Sequence, residues 1–316
     1  MTEIAVLGAG LMGHALALVY ALGGHNVRLT DSNAETLARA PALIETARAT
    51  LMVAGEIEAR WTEQHVQSVI VCDPSLEATV AGAQIVQEAI VELPDAKRAL
   101  YEKLDALLPE GVIIASNTSF LDIFPLMPER RQAHTVIAHW YTPPYLVDLV
   151  DVVPGPHTDP AVVERVRDLV AAMGKVPVVL NRFITGYIAN RLQSAMILEV
   201  ARLLDEGYAT PRDIDDSVLH GLALRLPILG HLAKLDFTGL ELIAHSLRNR
   251  TYIPPEPFQS SASLNALLAE GRKGVMSGRG FFDWGDRTAE ELFRERDLKL
   301  LALKKALRTI GPMEGA

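Results

Sequence analysis

The sequence is nearly devoid of cysteine and contains no long uninterrupted apolar run. Among its 316 residues there is one cysteine, Cys72, which excludes an intramolecular disulfide framework and a cysteine-rich metal centre. We therefore predict no metal site and a cytoplasmic location, where a single thiol stays reduced. No apolar run reaches the ~18 residues that a membrane-spanning helix requires. The chain opens on an apolar strand pattern rather than a charged leader, so we predict neither a signal peptide nor a membrane partner.

Excess positive charge is also missing. The formal net charge is −9, and nucleic-acid binding requires a basic surface, so we predict no nucleic-acid partner. Lysine is absent before Lys97. This absence bears on the substrate, as discussed below.

The chain begins with an apolar run followed by three regularly spaced glycines. Residues 4–7 predict a buried strand, and residues 15–22 predict an apolar helix. Between them the G-x-G-x-x-G spacing predicts a turn that binds a pyrophosphate. Gly8 permits the tight turn, Gly10 admits the phosphates, and Gly13 lets the helix pack closely on the strand. The phosphates would lie at the helix N-terminus, which favours negative charge. The residues of this turn are Gly8, Gly10, Leu11, Met12 and Gly13.

A second predicted strand, residues 26–30, ends at Asp31. In a dinucleotide-binding fold this position presents a carboxylate to the ribose hydroxyls of the adenosine half. Asp31 would repel a 2'-phosphate, and neither Ser32 nor Asn33 supplies a cation to bind one. We therefore predict NAD, rather than NADP, as the cofactor.

Strands and helices alternate as far as residue 180, which predicts a doubly wound, mainly parallel sheet of the Rossmann type. From Thr185 onward the apolar residues follow a helical period, starting with a long amphipathic helix that carries Ile188, Leu192 and Met196. We therefore predict an α/β NAD-binding domain at residues 1–183 and an all-helical domain at residues 184–316. Ligands of such sheets bind beyond the carboxyl ends of the strands, so we expect the helical domain to close over the nicotinamide.

His139 ends a predicted strand, and Asp151 lies within the next apolar strand. A carboxylate inside an apolar strand needs a polar partner. A pair of His139 and Asp151 would orient the imidazole and raise its proton affinity, as a base in alcohol oxidation requires. The alternative is a structural histidine.

These features resemble the L-3-hydroxyacyl-CoA dehydrogenase superfamily, which includes L-carnitine dehydrogenase and lambda-crystallin. The resemblance extends over essentially the whole chain and rests on seven stretches in the same order. They are G-A-G-L-M-G at Gly8, V-Q-E-A-I-V-E at Val86, S-N-T-S at Ser116, H-W-Y-T-P-P at His139, D-L-V-D-V-V at Asp148, G-Y-I-A-N-R-L at Gly186 and S-G-R-G-F-F-D-W at Ser277.

The resemblance implies NAD-dependent oxidation of a secondary alcohol, and it implies roles for particular residues. His139 matches the catalytic base and Asp151 its orienting carboxylate, which is usually glutamate. Two residues match those that hold the substrate oxygen: Ser119 and Asn190. Three match residues at the nicotinamide-ribose end of the cofactor: Glu92, Lys97 and Asn117. As alternatives, Ser119 could cap a helix beginning at Leu121, and Glu92 with Lys97 could form a solvated ion pair.

Two departures from the family pattern bear on the substrate. Thr142 stands where the family usually has asparagine. The region of residues 33–96, which in acyl-CoA enzymes brings lysines to the CoA nucleotide, here has arginines only at Arg39, Arg48 and Arg60 among many glutamates. We therefore favour a small free 3-hydroxy acid over a CoA thioester. Arg191 or Arg225 would bind its carboxylate.

Two other functions are weighed against this one. A lysine-base beta-hydroxyacid dehydrogenase would need a lysine on the long helix, and residues 185–205 contain none. A non-catalytic NAD-binding or sensing protein of the crystallin kind would not need to retain four residues together: His139, Asp151, Ser119 and Asn190. The resemblance also implies a homodimer, with the apolar run of residues 222–235 available for its interface.

Overall fold

The structure is a computed structural model that describes residues 1–313. By its internal contacts the chain forms two compact units, the first comprising residues 1–189 and the second beginning at Asn190.

The first unit is built on one eight-stranded sheet. Its strand order is β3-β2-β1-β4-β5-β6-β7-β8, and every neighbouring pair is parallel except β6 and β7. This confirms the doubly wound, mainly parallel sheet. The strands are β1 (Glu3–Leu7), β2 (Asn26–Thr30), β3 (Ile70–Cys72), β4 (Ile85–Glu88), β5 (Ile113–Ser116), β6 (Thr135–Trp140), β7 (Leu149–Pro154) and β8 (Val176–Val179).

Apart from α1, the helices of this unit begin at polar caps or at prolines that the sequence supplies. Asn33 accepts hydrogen bonds from the backbone at the start of α2, and the αL conformation of Gly55 ends that helix. The helices are α1 (Gly13–Leu22), α2 (Ala34–Ala54), α3 (Glu63–Val69), α4 (Leu76–Val80), α5 (Pro94–Leu107) and α6 (Pro160–Ala172). Strand β3 is only three residues long because α3, capped by Thr62, continues to Val69.

The sheet positions the polar residues of the site. Its central strands are buried on both faces, as parallel strands covered by helices usually are. Antiparallel pairing of β6 with β7 places His139 directly opposite Asp151 in the ladder. Cross-strand partners project from the same face of a sheet, so this register brings the two side chains together.

The second unit consists of helices, without a strand among its described residues. Its helices are α7 (Ala189–Asp205), α8 (Pro211–Ser217), α9 (Leu226–Thr238), α10 (Leu240–Arg248), α11 (Ala262–Ala269) and α12 (Ala289–Ile310), with a short π-helix at Val218–Leu222. Thr210 and Thr288 form capping boxes at the starts of α8 and α12. The sequence predicts the long amphipathic helix from Thr185 onward. In the structure it begins at Ala189, so Ile188 lies just before α7.

Within residues 1–313, no single helix is both long and apolar enough to cross a membrane. Two consecutive helical segments, Pro211–Leu222 and Leu226–Thr238, reach the required length and hydropathy only when they are taken together, and the pair is bent by 74°.

Candidate active site

The turn between β1 and α1 has no room for side chains at two of its three glycines. Gly8 has a φ of +95°, and a Cβ there would lie 2.5 Å from the carbonyl oxygen of Ala89. A Cβ at Gly13 would lie 1.5 Å from the carbonyl oxygen of Gly8. At Gly10, by contrast, a Cβ would meet nothing within 4 Å. The turn is thus closed where helix and strands approach and open where a diphosphate would lie.

The N-terminus of α1 carries no side-chain cap. Met12 occupies the cap position without a side-chain hydrogen bond, and the first turn contains no acidic residue. The adjacent Leu11 is 73% exposed. The Thr142 hydroxyl, at the position where the family usually has asparagine, donates to Sδ of Met12 at 3.0 Å. Free amide groups at the start of an apolar helix favour a bound anion.

Beside this turn lies a cavity of about 670 Å³ that runs along the carboxyl ends of β1 and β2. Gly10 and Asp31 line it together with Ala96, Ala99, Leu100 and Lys103 of α5. Asp31 is held in place because Oδ2 accepts the Ala9 amide at 2.7 Å and Oδ1 accepts the Asn33 amide at 2.8 Å. The cavity can hold an adenosine group with its ribose next to a fixed carboxylate.

His139 is engaged through both ring nitrogens. Nδ1 lies 3.3 Å from Oδ2 of Asp151, and Nε2 lies 3.2 Å from Oγ of Ser119. Both His139 and Asp151 are buried. With the proton on Nδ1 facing the carboxylate, the lone pair of Nε2 faces Ser119. An imidazole held in this way can accept a proton at Nε2.

Two tyrosines that the sequence analysis did not identify enclose the imidazole. The Tyr141 ring lies 4.6 Å from the His139 ring, and its hydroxyl donates to Oδ2 of Asp151 at 2.7 Å. The Tyr187 ring lies 4.9 Å from His139, and its hydroxyl donates to the Thr118 carbonyl at 2.7 Å. Burial, reinforced by the nearby Glu92 and Asp151 carboxylates, raises the pKa of Tyr187. The two-residue spacing from His139 was a signal that could have identified Tyr141.

Ser119 lies in a turn that is organised around Glu92. Oε1 of Glu92 accepts hydrogen bonds from the Thr118 hydroxyl at 2.6 Å and the Ser119 amide at 2.8 Å; Phe120 and Leu121 donate their amides to the same oxygen. Burial by itself would raise the pKa of Glu92, but these hydrogen bonds and the charge of Lys97 outweigh it and lower the pKa. The suggested helix at Leu121 is wrong: Glu92 satisfies these amides in a turn, and the next helical residues are the short 3-10 segment Phe124–Leu126.

Lys97 is buried, which rules out the solvated ion pair considered from the sequence. Its ammonium lies 2.7 Å from Oε1 of Glu88 and 3.4 Å from Oε2 of Glu92. Tyr101 and Ser116 donate their hydroxyls to the other oxygen of Glu88, at 2.8 Å and 2.6 Å. The sequence analysis missed Glu88, although it is an acid that ends a buried strand and therefore needs a polar partner.

The remaining candidates lie in two places. Oδ1 of Asn117 accepts the amide of Trp140 at 2.8 Å, which ties the end of β5 to the end of β6. Asn190, Arg191 and Arg225 belong to the second unit. Asn190 and Arg191 are in the first turn of α7, and Arg225 precedes α9 with its Nε donating to the Gly221 carbonyl at 3.0 Å.

Comparison with known proteins places this arrangement in a family. Residues 3–183 match the model of the 3-hydroxyacyl-CoA dehydrogenase NAD binding domain, and residues 186–284 match that of the C-terminal domain. The chain belongs to the 3-hydroxyacyl-CoA dehydrogenase family. It is therefore an NAD-dependent dehydrogenase that acts on a CH–OH group, as the sequence resemblance implied.

Relatives within the 3-hydroxyacyl-CoA dehydrogenase family match the chain over most of its length. L-carnitine dehydrogenase of Streptomyces coelicolor is 32% identical, with 99% of this chain and 96% of that protein covered. The crystal structure of 5-formyl-3-hydroxy-2-methylpyridine 4-carboxylic acid 5-dehydrogenase, an NAD+-dependent dismutase, is 26% identical with a TM-score of 0.86, covering 99% and 100% of the two chains. The 3-hydroxybutyryl-CoA dehydrogenase of Escherichia coli is 28% identical with a TM-score of 0.71, covering 90% of this chain and 60% of that one.

The residues present fit NAD. The glycine turn is open at Gly10, the helix behind it has an uncapped N-terminus, and Asp31 lies at the cavity with no cation beside it at Ser32 or Asn33. These features suit a diphosphate and an unphosphorylated ribose.

Proposed function

We propose that this dehydrogenase oxidises a small free 3-hydroxy acid, or a similar carboxylated alcohol, with His139 as the base. The observation that carries the proposal is the placement of His139 between the Asp151 carboxylate and the Ser119 hydroxyl, with Nε2 facing Ser119. Base, orienting carboxylate and hydroxyl are the groups that alcohol oxidation requires.

In this mechanism the alcohol oxygen is bound beside Ser119 and Nε2 of His139. His139 takes the hydroxyl proton while the C–H bond breaks and its hydride leaves the carbon, which becomes a ketone. NAD supplies the hydride acceptor. Asp151 stabilises the imidazolium that forms, and the Ser119 hydroxyl donates to the developing carbonyl oxygen. Asn190 is proposed as a second donor to that oxygen.

The charges on α2 and on the loop between α2 and α3 support a substrate without CoA. Arg48 is held by Glu45 at 2.6 Å, and Arg60 lies 3.2 Å from Glu58. Arginines already paired with carboxylates offer little attraction to a ligand that carries several phosphates. L-carnitine dehydrogenase and the pyridine carboxylate dehydrogenase are named for small carboxylated substrates. Arg191 and Arg225 remain the proposed partners of the substrate carboxylate.

We further propose how the other candidates contribute. The turn at Gly8, Gly10, Leu11, Met12 and Gly13 would bind the diphosphate, and Asp31 the adenosine ribose. Glu92 and Asn117, on loops that follow β4 and β5, would lie at the nicotinamide-ribose end. Lys97 would contribute there through Glu92, because its ammonium is buried against Glu88.

The domain roles are also part of the proposal. Residues 1–183 would form the NAD-binding domain and residues 184–316 the substrate and dimerisation domain, a division supported by the two family-model matches.

A homodimer is supported by the exposed apolar side chains of α7, such as Leu192 and Met196. A cytoplasmic location is supported by the single free thiol of Cys72.

An absorbance assay of NADH formation tests the proposal. Short 3-hydroxy acids and their CoA thioesters are compared with NAD, and the best substrate is then repeated with NADP. We expect NADH formation with a free hydroxy acid and a strong preference for NAD. Turnover of CoA thioesters alone would overturn the substrate class. NAD binding without any turnover would instead indicate a non-catalytic protein.

A further inference from the structure

The pair of His139 and Asp151 has a third member, the phenol of Tyr141. Its hydroxyl donates to Oδ2 of Asp151 at 2.7 Å, and that same oxygen lies 3.3 Å from Nδ1 of His139. The other carboxylate oxygen, Oδ1, is buried and has no hydrogen-bond partner within residues 1–313. A single oxygen therefore serves both the phenol and the imidazole.

The tyrosine contact is the closer of the two. A hydroxyl at 2.7 Å from a carboxylate oxygen forms a strong charge-assisted hydrogen bond. The imidazole contact at 3.3 Å is long for a hydrogen bond. The Tyr141 ring also packs edge-on against His139, with an interplanar angle of 72°. Tyr141 therefore contacts both members of the pair, and it is the nearer donor to the carboxylate.

We propose that Tyr141 is a positioning residue that shares Oδ2 of Asp151 with His139 and thereby limits how strongly the carboxylate holds the protonated imidazole. The donated hydrogen bond offsets part of the charge on Asp151. A base that is held too strongly as a cation would no longer accept a proton from the substrate near neutral pH. The mechanistic consequence rests on the proposed function of His139, whereas the contact itself does not.

A further ionisable group packed on the imidazole is Tyr187, and two carboxylates act in turn on Tyr187. Tyr187 follows β8 and packs on the His139 ring, while Glu92 follows β4 and Asp122 follows β5. All three groups are retained when Tyr141 is replaced by phenylalanine, so a change in His139 titration reports on the lost hydroxyl.

The first experiment measures the titration of His139 by NMR in Tyr141→Phe, with His139→Gln used to assign the signal. Tyr20→Phe is the control, because the Tyr20 hydroxyl also donates to a side-chain oxygen, Oε1 of Gln87, at the same distance of 2.7 Å. We expect the His139 pKa to rise by about half a unit or more in Tyr141→Phe only. An unchanged or lowered value in Tyr141→Phe would overturn the proposal.

The second experiment asks whether Tyr141 acts through the carboxylate. In an Asp151→Asn background, adding Tyr141→Phe should leave the His139 titration unchanged, because the shared charge is absent. An equal shift in both backgrounds would show that the ring acts on His139 directly, which contradicts the proposal.

Kinetics of the complete enzyme provide a separate measurement. The acid limb of the pH profile of kcat/KM should move to higher pH in Tyr141→Phe by the same shift, which is a roughly threefold fall in kcat/KM on that limb for half a unit, while Tyr20→Phe keeps the wild-type profile. Equal profiles for all three proteins would contradict the proposed role. If the wild type oxidises no alcohol, the proposed function has failed, and the NMR titration still decides the role of Tyr141.

Discussion

Two buried carboxylates in neighbouring regions of the sheet are neutralised in different ways. Glu88, at the end of β4, faces the ammonium of Lys97 at 2.7 Å and accepts hydroxyls from Tyr101 and Ser116. Asp151, in the middle of β7, faces a histidine and a phenol. Because the ammonium and two hydroxyls all hold the same buried carboxylate, the Glu88 cluster is a fixed structural ion pair. The imidazole beside Asp151 can gain and lose a proton, so that pair can perform chemistry.

The largest expected effect comes from breaking the fixed pair. Lys97→Met leaves Glu88 buried without a cation, and we expect a loss of about 3–5 kcal/mol in the free energy of unfolding. Denaturant unfolding measures it. The double variant Lys97→Met/Glu88→Gln should regain part of the loss, because no charge is then buried alone. If the double variant is no more stable than Lys97→Met, the loss does not come from the unpaired charge of Glu88. That result would contradict the interpretation of Glu88 and Lys97 as a structural ion pair.

Breaking the titratable pair should affect turnover more than stability. His139→Gln removes the base, and we expect turnover to fall by roughly 100-fold or more. Binding of NADH, followed by fluorescence, should stay near the wild-type value because the glycine turn and Asp31 are untouched. Turnover close to that of the wild type would reject His139 as the base.

A smaller effect is expected at Glu92, which connects the two regions by contacting Lys97 and the Ser119 turn. Glu92→Gln weakens the hydrogen bonds that hold Ser119, and we expect kcat to fall by roughly tenfold. A Glu92→Gln variant that lost stability but kept the wild-type kcat would contradict the proposed connection between the two regions.

The same variant tests the pH dependence of stability. The folded pKa of Glu92 is lowered, so its contribution is present above the ordinary glutamate pKa of about 4.3 and is lost as the pH falls through the folded value. Unfolding measured from neutral to acid pH should therefore show Glu92→Gln and the wild type converging on acidification. If the free energies of unfolding of Glu92→Gln and the wild type differ by the same amount across that pH range, the assignment of a lowered pKa to Glu92 is contradicted.

How much the sequence could predict differs between the two pairs. Asp151 stands out as an acid within an apolar strand, with His139 at the end of the preceding one. Glu88 ends its strand, and its partner Lys97 lies on a helix. The spacing of Lys97, Tyr101 and Leu104 puts them on one face of α5, but a lysine is usually exposed, so the sequence favours a solvated position for it. For the same reason the sequence could suggest a solvated Glu92–Lys97 pair, whereas the structure buries Lys97.

The Ser119 turn shows another limit. A serine followed by apolar residues resembles a helix cap, and local pattern alone favours that interpretation. Glu92, distant in sequence, supplies the acceptor that a helix would otherwise have provided, so the segment stays a turn. A long-range hydrogen bond of this kind leaves no periodic trace in the chain.

The sequence by itself determined the glycine turn, the strand that ends at Asp31, the alternation that produces the sheet, and the choice of His139 and Asp151. These follow from local patterns, because glycine spacing and apolar periodicity act within a few residues of one another. Only the tertiary structure decided that β7 runs antiparallel to β6, that Lys97 is buried against Glu88 and that Tyr141 shares the Asp151 oxygen. Those contacts depend on which strands become neighbours and in what register, which is set by packing of the whole sheet.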